Sequence, residues 1–526
     1  MSTGSAIKRP TSLNYLPLIL KSGILPPPSH QSSGILPRRR SRSPPIYRVF
    51  TDTYAQASPL LFRFASDLWK NELTKYKGVA ILQVQNETIG IEILGFARIK
   101  QLGCIIVIAA IIAFFLYREL IDFPVYYYAG RSMLNGRTDL YSPNFAMGVL
   151  MDYRYPPLFL LLFFPFSLFE YHLSAYLWSF LSAFLVAGCF WLTSFKDYQN
   201  DITKRWQLYA LPALAPYYIL NLHNGNAHLL VILLMYGSLI LYLKEKMGLS
   251  ALLMALAITI KVVPIILLPY FAVKKQWKFL LQAAIFLIVL NLAPGFYFGW
   301  ERNRQLLGNW YDLVVTNQEF HEVQGPINLS LKGQLRRYIS EVDYQQRISG
   351  DVNYPAVNLA AISKGQTDTL WWIGSLLVLS GAFWLIYRAG CHEGITRPGR
   401  DDWEKRRTVI ELGLMICLSL FIGPQTNKTY FIALLWPMSA LALVCRRSLR
   451  GQGMIKGVLL LAALISISSS ILPIPHLSRI VLAVGVDFYL NLLVMGALGF
   501  VLWLNSPLTE RYKVALAEAR LSDTAV

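Results

Sequence analysis

The sequence predicts an all-α integral membrane protein with about twelve transmembrane helices. Hydrophobic residues make up 55% of its 526 residues and charged residues only 15%, whereas roughly a quarter of the residues in a soluble domain are charged. The apolar residues also form long uncharged blocks, such as 279–298 and 458–472. About 20 apolar residues are enough for a helix to cross a bilayer.

The formal net charge is +19, which in a soluble protein would raise the question of nucleic acid. Here the basic residues lie mainly between apolar blocks, as they do in the cytoplasmic loops of membrane proteins. We therefore expect a lipid bilayer as partner and no nucleic acid. The five cysteines are scattered and have no metal-ligand spacing, so we predict no cysteine metal site.

The first 100 residues differ from the rest of the chain. They are rich in Lys and Arg and include the proline-rich stretch 25–30. We predict that residues 1–100 form a basic, partly disordered cytoplasmic extension. The stretch 78–95 alternates in places around an Asn-Glu turn signal, which is compatible with a small hairpin.

The apolar blocks from residue 101 to 505 can be threaded alternately through a membrane with both termini inside, because each short inner loop is then basic. This threading leaves outer loops at 122–155 and 299–369, a short juxtamembrane helix at 156–169 and a cytoplasmic tail at 506–526. The predicted spans are 102–120, 171–195, 207–222, 227–243, 249–260, 264–273, 279–298, 370–387, 408–422, 430–444, 455–472 and 480–504. The spans 249–260 and 264–273 are too short to cross the membrane unaided. We interpret them as half-helices that meet at Lys261.

The threading places the unusual polar residues at the outer face. Asp122 follows an apolar block and precedes Pro124 and three tyrosines. It is either an exposed charge at a helix end or a base whose pKa is raised by apolar surroundings. Lys261 is flanked by apolar residues. Its ammonium either extends to the surface or binds a phosphate at the lipid boundary.

The other candidate site residues also have alternative explanations. His223 and His228 have Asn224 and Asn226 between them. No third ligand accompanies the two histidines, so hydrogen bonding to a sugar is favoured over a metal site. Tyr155 and its neighbours form either an aromatic belt or a surface on which a sugar ring stacks. The stretch 299–369 is long for a loop, which favours a functional role.

These residues lie in motifs that resemble glycosyltransferase family 87, the polyprenol-phosphate-mannose-dependent enzymes of the C-type multi-span superfamily. The first outer loop resembles the family's loop, which has an acid, a VYY run, an LY element and YPP. The chain reads DFPVYYYAG, then LY, then YRYPP. Three later stretches are similar to further family elements: NLHNGNAHLL, ALAITIKVVP and INLSLKG.

One stretch departs from the family pattern. Where the family has Ser-Pro, Trp and a pair of histidines, the chain reads GPQTNKTYF. Gly423 and Pro424 fit roughly, but Gln425, Asn427 and Lys428 replace the histidines. This departure leaves the sugar, the acceptor and the partner of the base open.

The resemblance implies a C-type fold in the inner (plasma) membrane with its active site on the extracytoplasmic side. The implied reaction is inverting transfer of mannose or a pentose from a polyprenyl-phosphate donor to a glycolipid or glycan. No cofactor is expected, although the need for a divalent cation stays open. For this reaction we predict Asp122 as the general base. We predict that Lys261 binds the donor phosphate, with Lys428 or Arg336 and Arg337 as a further cation. The predicted sugar or acceptor contacts are Tyr126, Tyr127, Tyr155, Asn224, Asn226, His228, Asn328, Gln425 and Asn427. A transporter or flippase, and a non-catalytic scaffold with the same fold, are the alternatives.

Overall fold

The structure is a computed structural model that describes residues 103–118, 120–136, 140–141, 153–195, 206, 209–316, 328–340, 355, 357–390, 400–444, 452–471 and 475–504. These residues belong to one of the chain's two compact units, Tyr54–Val526. The predictions for the extension 1–100, including the hairpin at 78–95, and for the tail 506–526 lie outside the described residues.

Within the described ranges the regular structure is helical, which confirms the all-α prediction. The first helices are α1 (Gly103–Leu116), α2 (Phe123–Leu134), α3 (Pro157–Ser167) and α4 (Tyr171–Leu192). Proline lies in the first turn of both α2 and α3, where a missing N–H costs no helical hydrogen bond. α2 packs against α3, and α3 against α4.

Helices α5 to α9 form the middle of the chain. Their bounds are α5 (Ala215–Asn224), α6 (His228–Leu243), α7 (Met247–Ile260), α8 (Leu268–Val273) and α9 (Trp277–Leu292). Gly225 ends α5 in the left-handed conformation, with φ 63°, which glycine adopts without a Cβ clash. Its carbonyl accepts a 2.7 Å hydrogen bond from the indole of Trp178 in α4, so the turn between α5 and α6 is held from α4.

The helical path breaks at Lys261, as the sequence predicts. Lys261 has extended backbone angles, φ −151° and ψ 123°, and a 3₁₀ turn over Val263–Leu267 then leads into α8. Pro264 explains the break, because it has no N–H to continue the helical bonds and its ring clashes with the carbonyl four residues earlier, at Ile260. The side chain of Lys261 therefore emerges between two short segments.

The predicted outer loop 299–369 contains helices. After the short α10 (Gly295–Phe298), the helices of this region are α11 (Trp300–Tyr311), α12 (Leu331–Ile339) and α13 (Lys364–Gly390). A π-helical turn, Asp312–Thr316, extends α11, and α12 packs against α13.

Asn328 ties the start of α12 to the stretch that departs from the family pattern. Its Oδ1 accepts from the backbone amides of Ser330, at 3.1 Å, and Thr426, at 3.0 Å, and its Nδ2 donates to the Pro424 carbonyl, at 3.0 Å. The hydroxyl of Ser330 caps α12 by accepting from the Gly333 amide. The Asn328 side chain therefore joins two loops that are almost 100 residues apart in sequence.

The C-terminal helices supply much of the core. They are α14 (Arg400–Ile422), α15 (Leu435–Val444), α16 (Gln452–Ile471), α17 (Pro475–Val484) and α18 (Val486–Leu504), and a 3₁₀ turn, Lys428–Leu434, precedes α15. α14 packs against both α15 and α18. Every residue of α15 is buried, which is why this helix is apolar around its whole circumference.

A buried ion-pair cluster joins α14 to α8, the short helix that ends the segment beginning at Lys261. Glu411 of α14 has no exposed surface. Its carboxylate lies 2.6 Å from Lys274 Nζ and 3.3 Å from Arg407 Nε, and it accepts a 2.9 Å hydrogen bond from Tyr270. A buried carboxylate requires such partners.

Four of the described helical segments are long and apolar enough to cross a membrane: Tyr171–Leu192, Trp277–Phe298, Lys364–Gly390 and Val486–Leu504. The shorter apolar helices contain 10–17 residues. The helices and the composition are thus those of a multi-pass membrane protein, but twelve spans are not confirmed. Several predicted spans are too short on their own, such as α7, and the helix that contains 408–422 starts with a charged turn.

Gly333 gives a test of the link between α12 and Asn328. A Cβ at Gly333 would overlap the backbone carbonyl of Asn328, and backbone cannot swing away as a long side chain can. We expect Gly333→Ala to destabilise the protein by about 1–3 kcal/mol, as overpacking does, measured as the apparent unfolding temperature in detergent. Gly308→Ala is the control, since nothing lies within 4 Å of its Cβ position; equal unfolding temperatures for the two variants would contradict this packing.

Candidate functional site

Asp122 lies at the start of α2, next to the end of α5. Its backbone amide donates a 2.8 Å hydrogen bond to the Asn224 carbonyl, and its carboxylate does not cap α2. The side chain is partly buried. The carboxylate is therefore held at the junction of two helices without being used by the helix that follows it.

Two cations lie close enough to Asp122 to affect its ionisation. Burial is the largest influence and raises the pKa of Asp122 to about 6, while Lys261, Arg154 and a hydrogen bond with Asn226 lower it. The net effect is a carboxylate that is ionised at neutral pH and still basic enough to accept a proton. The structure thus brings together Asp122 and Lys261, which are far apart in the sequence.

Two tyrosines line the same cluster. The hydroxyls of Tyr126 and Tyr155 lie 2.9 Å apart, and the Tyr126 hydroxyl also accepts a hydrogen bond from the Ala227 amide at 3.3 Å. Lys261 Nζ lies 5.8 Å from the centre of the Tyr155 ring. These contacts join α2, the YRYPP stretch and the turn before α6 on one side of the cluster.

Lys261 also contacts His228 and Tyr430. Its Nζ lies in hydrogen-bonding contact with His228 Nε2 and 4.5 Å from the centre of the Tyr430 ring, and the rings of His228 and Tyr430 are 4.1 Å apart. Because His228 Nε2 faces a cation, that nitrogen serves as the acceptor. Among the described residues no group of three His, Cys, Asp or Glu side chains could hold a metal.

Some of the predicted contact residues lie elsewhere. Tyr127 turns away from the cluster: its hydroxyl donates to the Phe169 carbonyl at 3.0 Å, and its ring meets Tyr171 edge-on. The side-chain amide of Asn328 is hydrogen-bonded to backbone groups of two loops. Gln425 and Asn427 are partly exposed and flank Thr426 in one of those loops.

The other predicted phosphate-binding cations have acidic or backbone partners of their own. Arg336 donates to both carboxylate oxygens of Asp368, at 2.9 and 3.1 Å. Arg337 is 1% exposed and donates to the Asn328 carbonyl at 2.9 Å. These contacts hold α12 in place and do not bring either guanidinium to Asp122.

Lys428 joins a separate buried cluster. Its ammonium donates to the Ser469 carbonyl at 2.9 Å and lies 3.5 Å from Asp487, which is 2% exposed. Asp487 also accepts hydrogen bonds from Tyr217, at 2.6 Å, and from the Ser469 hydroxyl, at 2.9 Å.

Two members of the Asp122 cluster are not among the residues predicted from the sequence. Arg154 is the second residue of the YRYPP stretch, so the signal that could have indicated it is the pattern of tyrosines and prolines around it. Tyr430 lies within the stretch GPQTNKTYF that departs from the family pattern. Nothing in its sequence context indicates contact with Lys261, because the two residues come from distant segments.

The fold and the site together define a multi-pass membrane protein with a carboxylate, two cations and several tyrosines in one cluster. The family model of glycosyltransferase family 87 matches residues 153–397, which include Lys261 and Arg154 but begin after Asp122. This match covers slightly less than half of the chain; it supports the family predicted from the motifs and indicates a membrane glycosyltransferase similar to those of family 87. No curated protein and no solved structure matches the chain.

The Lys428–Asp487 pair can be tested separately from the rest of the site. Lys428→Met leaves the buried Asp487 without its cation, and removal of one partner of a buried pair costs about 3–5 kcal/mol. We expect a clearly lower apparent unfolding temperature in detergent, and recovery of most of the loss when Asp487→Asn is added. The control is Lys278→Met at an exposed position. Additive losses in the double variant would show that the two side chains do not interact.

Proposed function

We propose that the protein transfers a sugar from a polyprenyl-phosphate donor to a glycolipid or glycan acceptor in one inverting step. The observation that carries the proposal is the partly buried Asp122, whose raised pKa suits a general base, next to Lys261. The lipid tail of such a donor lies in the bilayer, so its anomeric carbon is presented near the headgroup region. A membrane enzyme with its polar cluster among apolar helices suits that geometry.

In the proposed step the acceptor hydroxyl attacks the anomeric carbon from the side opposite the phosphate. A bond forms between the acceptor oxygen and the anomeric carbon, and the bond from that carbon to the phosphate oxygen breaks. The electron pair of the broken bond stays on the phosphate, and the acceptor proton passes to Asp122. Base catalysis of this kind contributes typically 10²–10⁴-fold.

Lys261 has the complementary role in this proposal. Its ammonium stabilises the negative charge that develops on the leaving phosphate. The centres of the Tyr155 and Tyr430 rings lie 5.8 Å and 4.5 Å from that ammonium, and His228 contacts it by a hydrogen bond. Tyr126, Asn224 and Asn226 border Asp122 and are the proposed contacts for sugar or acceptor hydroxyls.

The site is proposed to open to the extracytoplasmic side of the inner (plasma) membrane, and the basic residues between the apolar blocks support this orientation. The test of the function is to incubate purified protein in nanodiscs with radiolabelled polyprenyl-phosphate-mannose or -pentose and a membrane glycolipid extract. A new labelled product is expected. Movement of the donor across sealed vesicles without product would identify a flippase instead, and neither product nor movement would identify a scaffold.

For Asp122, we expect Asp122→Asn to reduce the initial transfer rate by at least about 100-fold, because an amide cannot accept the proton. In the unaltered protein the rate should fall about tenfold per pH unit below about pH 6, since protonation of the carboxylate removes the base.

The control for this experiment is Asp312→Asn, at an exposed position in the π-helical turn, which should keep both the rate and the pH profile. Near-normal transfer by Asp122→Asn, or a rate that is flat from pH 7 to pH 5, would exclude Asp122 as the base.

For Lys261, we expect Lys261→Ala to weaken binding of polyprenyl-phosphate-mannose by about tenfold or more, because a charge-assisted contact to phosphate is lost. Donor binding is measured by a filter or scintillation proximity assay in nanodiscs. Lys278→Ala, at an exposed position of α9, is the control. Unchanged donor affinity in Lys261→Ala would leave Lys261 with a structural role alone.

A further inference from the structure

We propose that Tyr430 is a positioning residue, whose ring holds the ammonium of Lys261 in place for the donor phosphate. The inference rests on the proposed function and extends it to the stretch GPQTNKTYF, which departs from the family pattern. Tyr430 acts through Lys261 in this proposal, so it is not itself a catalytic residue.

The ring of Tyr430 contacts two members of the site. Its centre lies 4.5 Å from Lys261 Nζ and 4.1 Å from the centre of the His228 ring. His228 Nε2 in turn accepts a hydrogen bond from the Lys261 ammonium. Each of the three side chains therefore contacts the other two. They come from three separate segments, which are the start of α6, the break after α7 and the 3₁₀ turn before α15.

The contacts with Tyr430 and His228 hold the ammonium without adding a negative charge. An aromatic face attracts a cation through its quadrupole, and a neutral imidazole nitrogen accepts one hydrogen bond. An ammonium has three N–H groups, so one that is held in this way keeps donors for a phosphate oxygen. The geometry thus suits a lysine that has to bind a ligand.

Other lysines of the protein are held differently. Lys274 lies 2.6 Å from the carboxylate of Glu411, and Lys428 lies 3.5 Å from that of Asp487. Among the described residues Lys261 forms no such ion pair. A lysine paired with an acid joins helices, whereas Lys261 is oriented by an aromatic ring and an imidazole.

The backbone that carries Tyr430 is fixed on both sides. The Thr429 carbonyl accepts a 2.7 Å hydrogen bond from the Asn221 side chain, and the ring of Phe431 lies 5.7 Å from that of Tyr217. Both partners belong to α5, which ends next to Asp122. The Tyr430 ring is therefore presented by a backbone that is already ordered, as the support of a functional group should be.

Lys428 anchors the same stretch to the C-terminal helices. It stands two residues before Tyr430 and is bound to Ser469 of α16 and Asp487 of α18. The stretch that departs from the family pattern therefore has two parts with different roles. Lys428 fastens it, and Tyr430 reaches the site.

The benefit of this arrangement is a smaller loss of entropy when the donor binds. A lysine ammonium sits on a flexible four-carbon stem, and immobilising such a side chain on binding lowers the affinity. Contacts that order the ammonium beforehand remove part of that cost. Removal of the ring should therefore weaken donor binding only while Lys261 is present.

The experiment measures binding of polyprenyl monophosphate to the full-length protein in nanodiscs of neutral lipid, with neutral polyprenol as the reference. We expect Tyr430→Leu to weaken binding of the phosphate about threefold to tenfold, because the aromatic face is lost. Tyr430→Phe keeps that face and should stay within about twofold, as should the control Tyr311→Leu at a 51% exposed position of α11. Tyr430→Met replaces Tyr430→Leu if the leucine variant does not fold.

A double-variant cycle separates positioning of Lys261 from a structural role. In a protein that already carries Lys261→Ala, Tyr430→Leu should weaken phosphate binding by less than about twofold further, because no ammonium is left to orient. A full further loss in that background would overturn the inference.

Two other results would also overturn the inference and leave the proposed function intact. One is unchanged phosphate affinity in Tyr430→Leu, and the other is an equal loss in Tyr430→Leu and Tyr430→Phe, which would assign the effect to the hydroxyl. If the unaltered protein binds polyprenyl monophosphate no better than polyprenol, the proposed donor class fails, and this inference fails with it.

Discussion

The placement of charge in an apolar protein is the constraint on which the rest of the structure depends. An ionised group removed from water needs partners, and the described part of the chain meets this need in several separate clusters. In three of them the acid is matched by cations and hydrogen-bond donors: Glu411, Asp487 and Asp368. The cluster at Asp122 differs, because its carboxylate does not cap α2 and its two cations come from segments that also carry aromatic side chains. A cluster that is balanced by protein groups holds helices together, whereas the Asp122 cluster keeps a carboxylate that no helix cap uses.

Much of the architecture follows from local sequence. Two short apolar blocks predict the break at Lys261, the longer apolar blocks predict helices, and the prolines at 156 and 157 predict the start of a short helix there. The number of spans was harder to predict, because hydropathy gives the length of an apolar block but not whether the helix is tilted, re-entrant or continued by polar turns. The long stretch 299–369 showed the same difficulty, since its polar sequence does not reveal that α11 and α12 are helices.

The site could be predicted in part. The motif residues Asp122, Tyr155, His228 and Lys261 do lie together, and the segments that carry them are those the motifs marked. The partners of Lys428, Arg336 and Arg337 could not be predicted, because a basic residue in a loop looks the same in sequence whether its partner is a phosphate or an aspartate from another helix. Arg154 was not predicted because the recognisable pattern in YRYPP consists of its tyrosine and proline neighbours.

The contacts of Glu411 also affect Lys261, which lies at the opposite end of the segment that ends at Lys274. Lys274 and Tyr270 anchor that end to α14, while the stretch between them and Lys261 is a 3₁₀ turn and a short helix. The other end is held by α7, because the Lys261 amide donates a 3.0 Å hydrogen bond to the Ala257 carbonyl. The backbone that carries Lys261 is thus fastened on both sides, so a bound substrate does not have to order it.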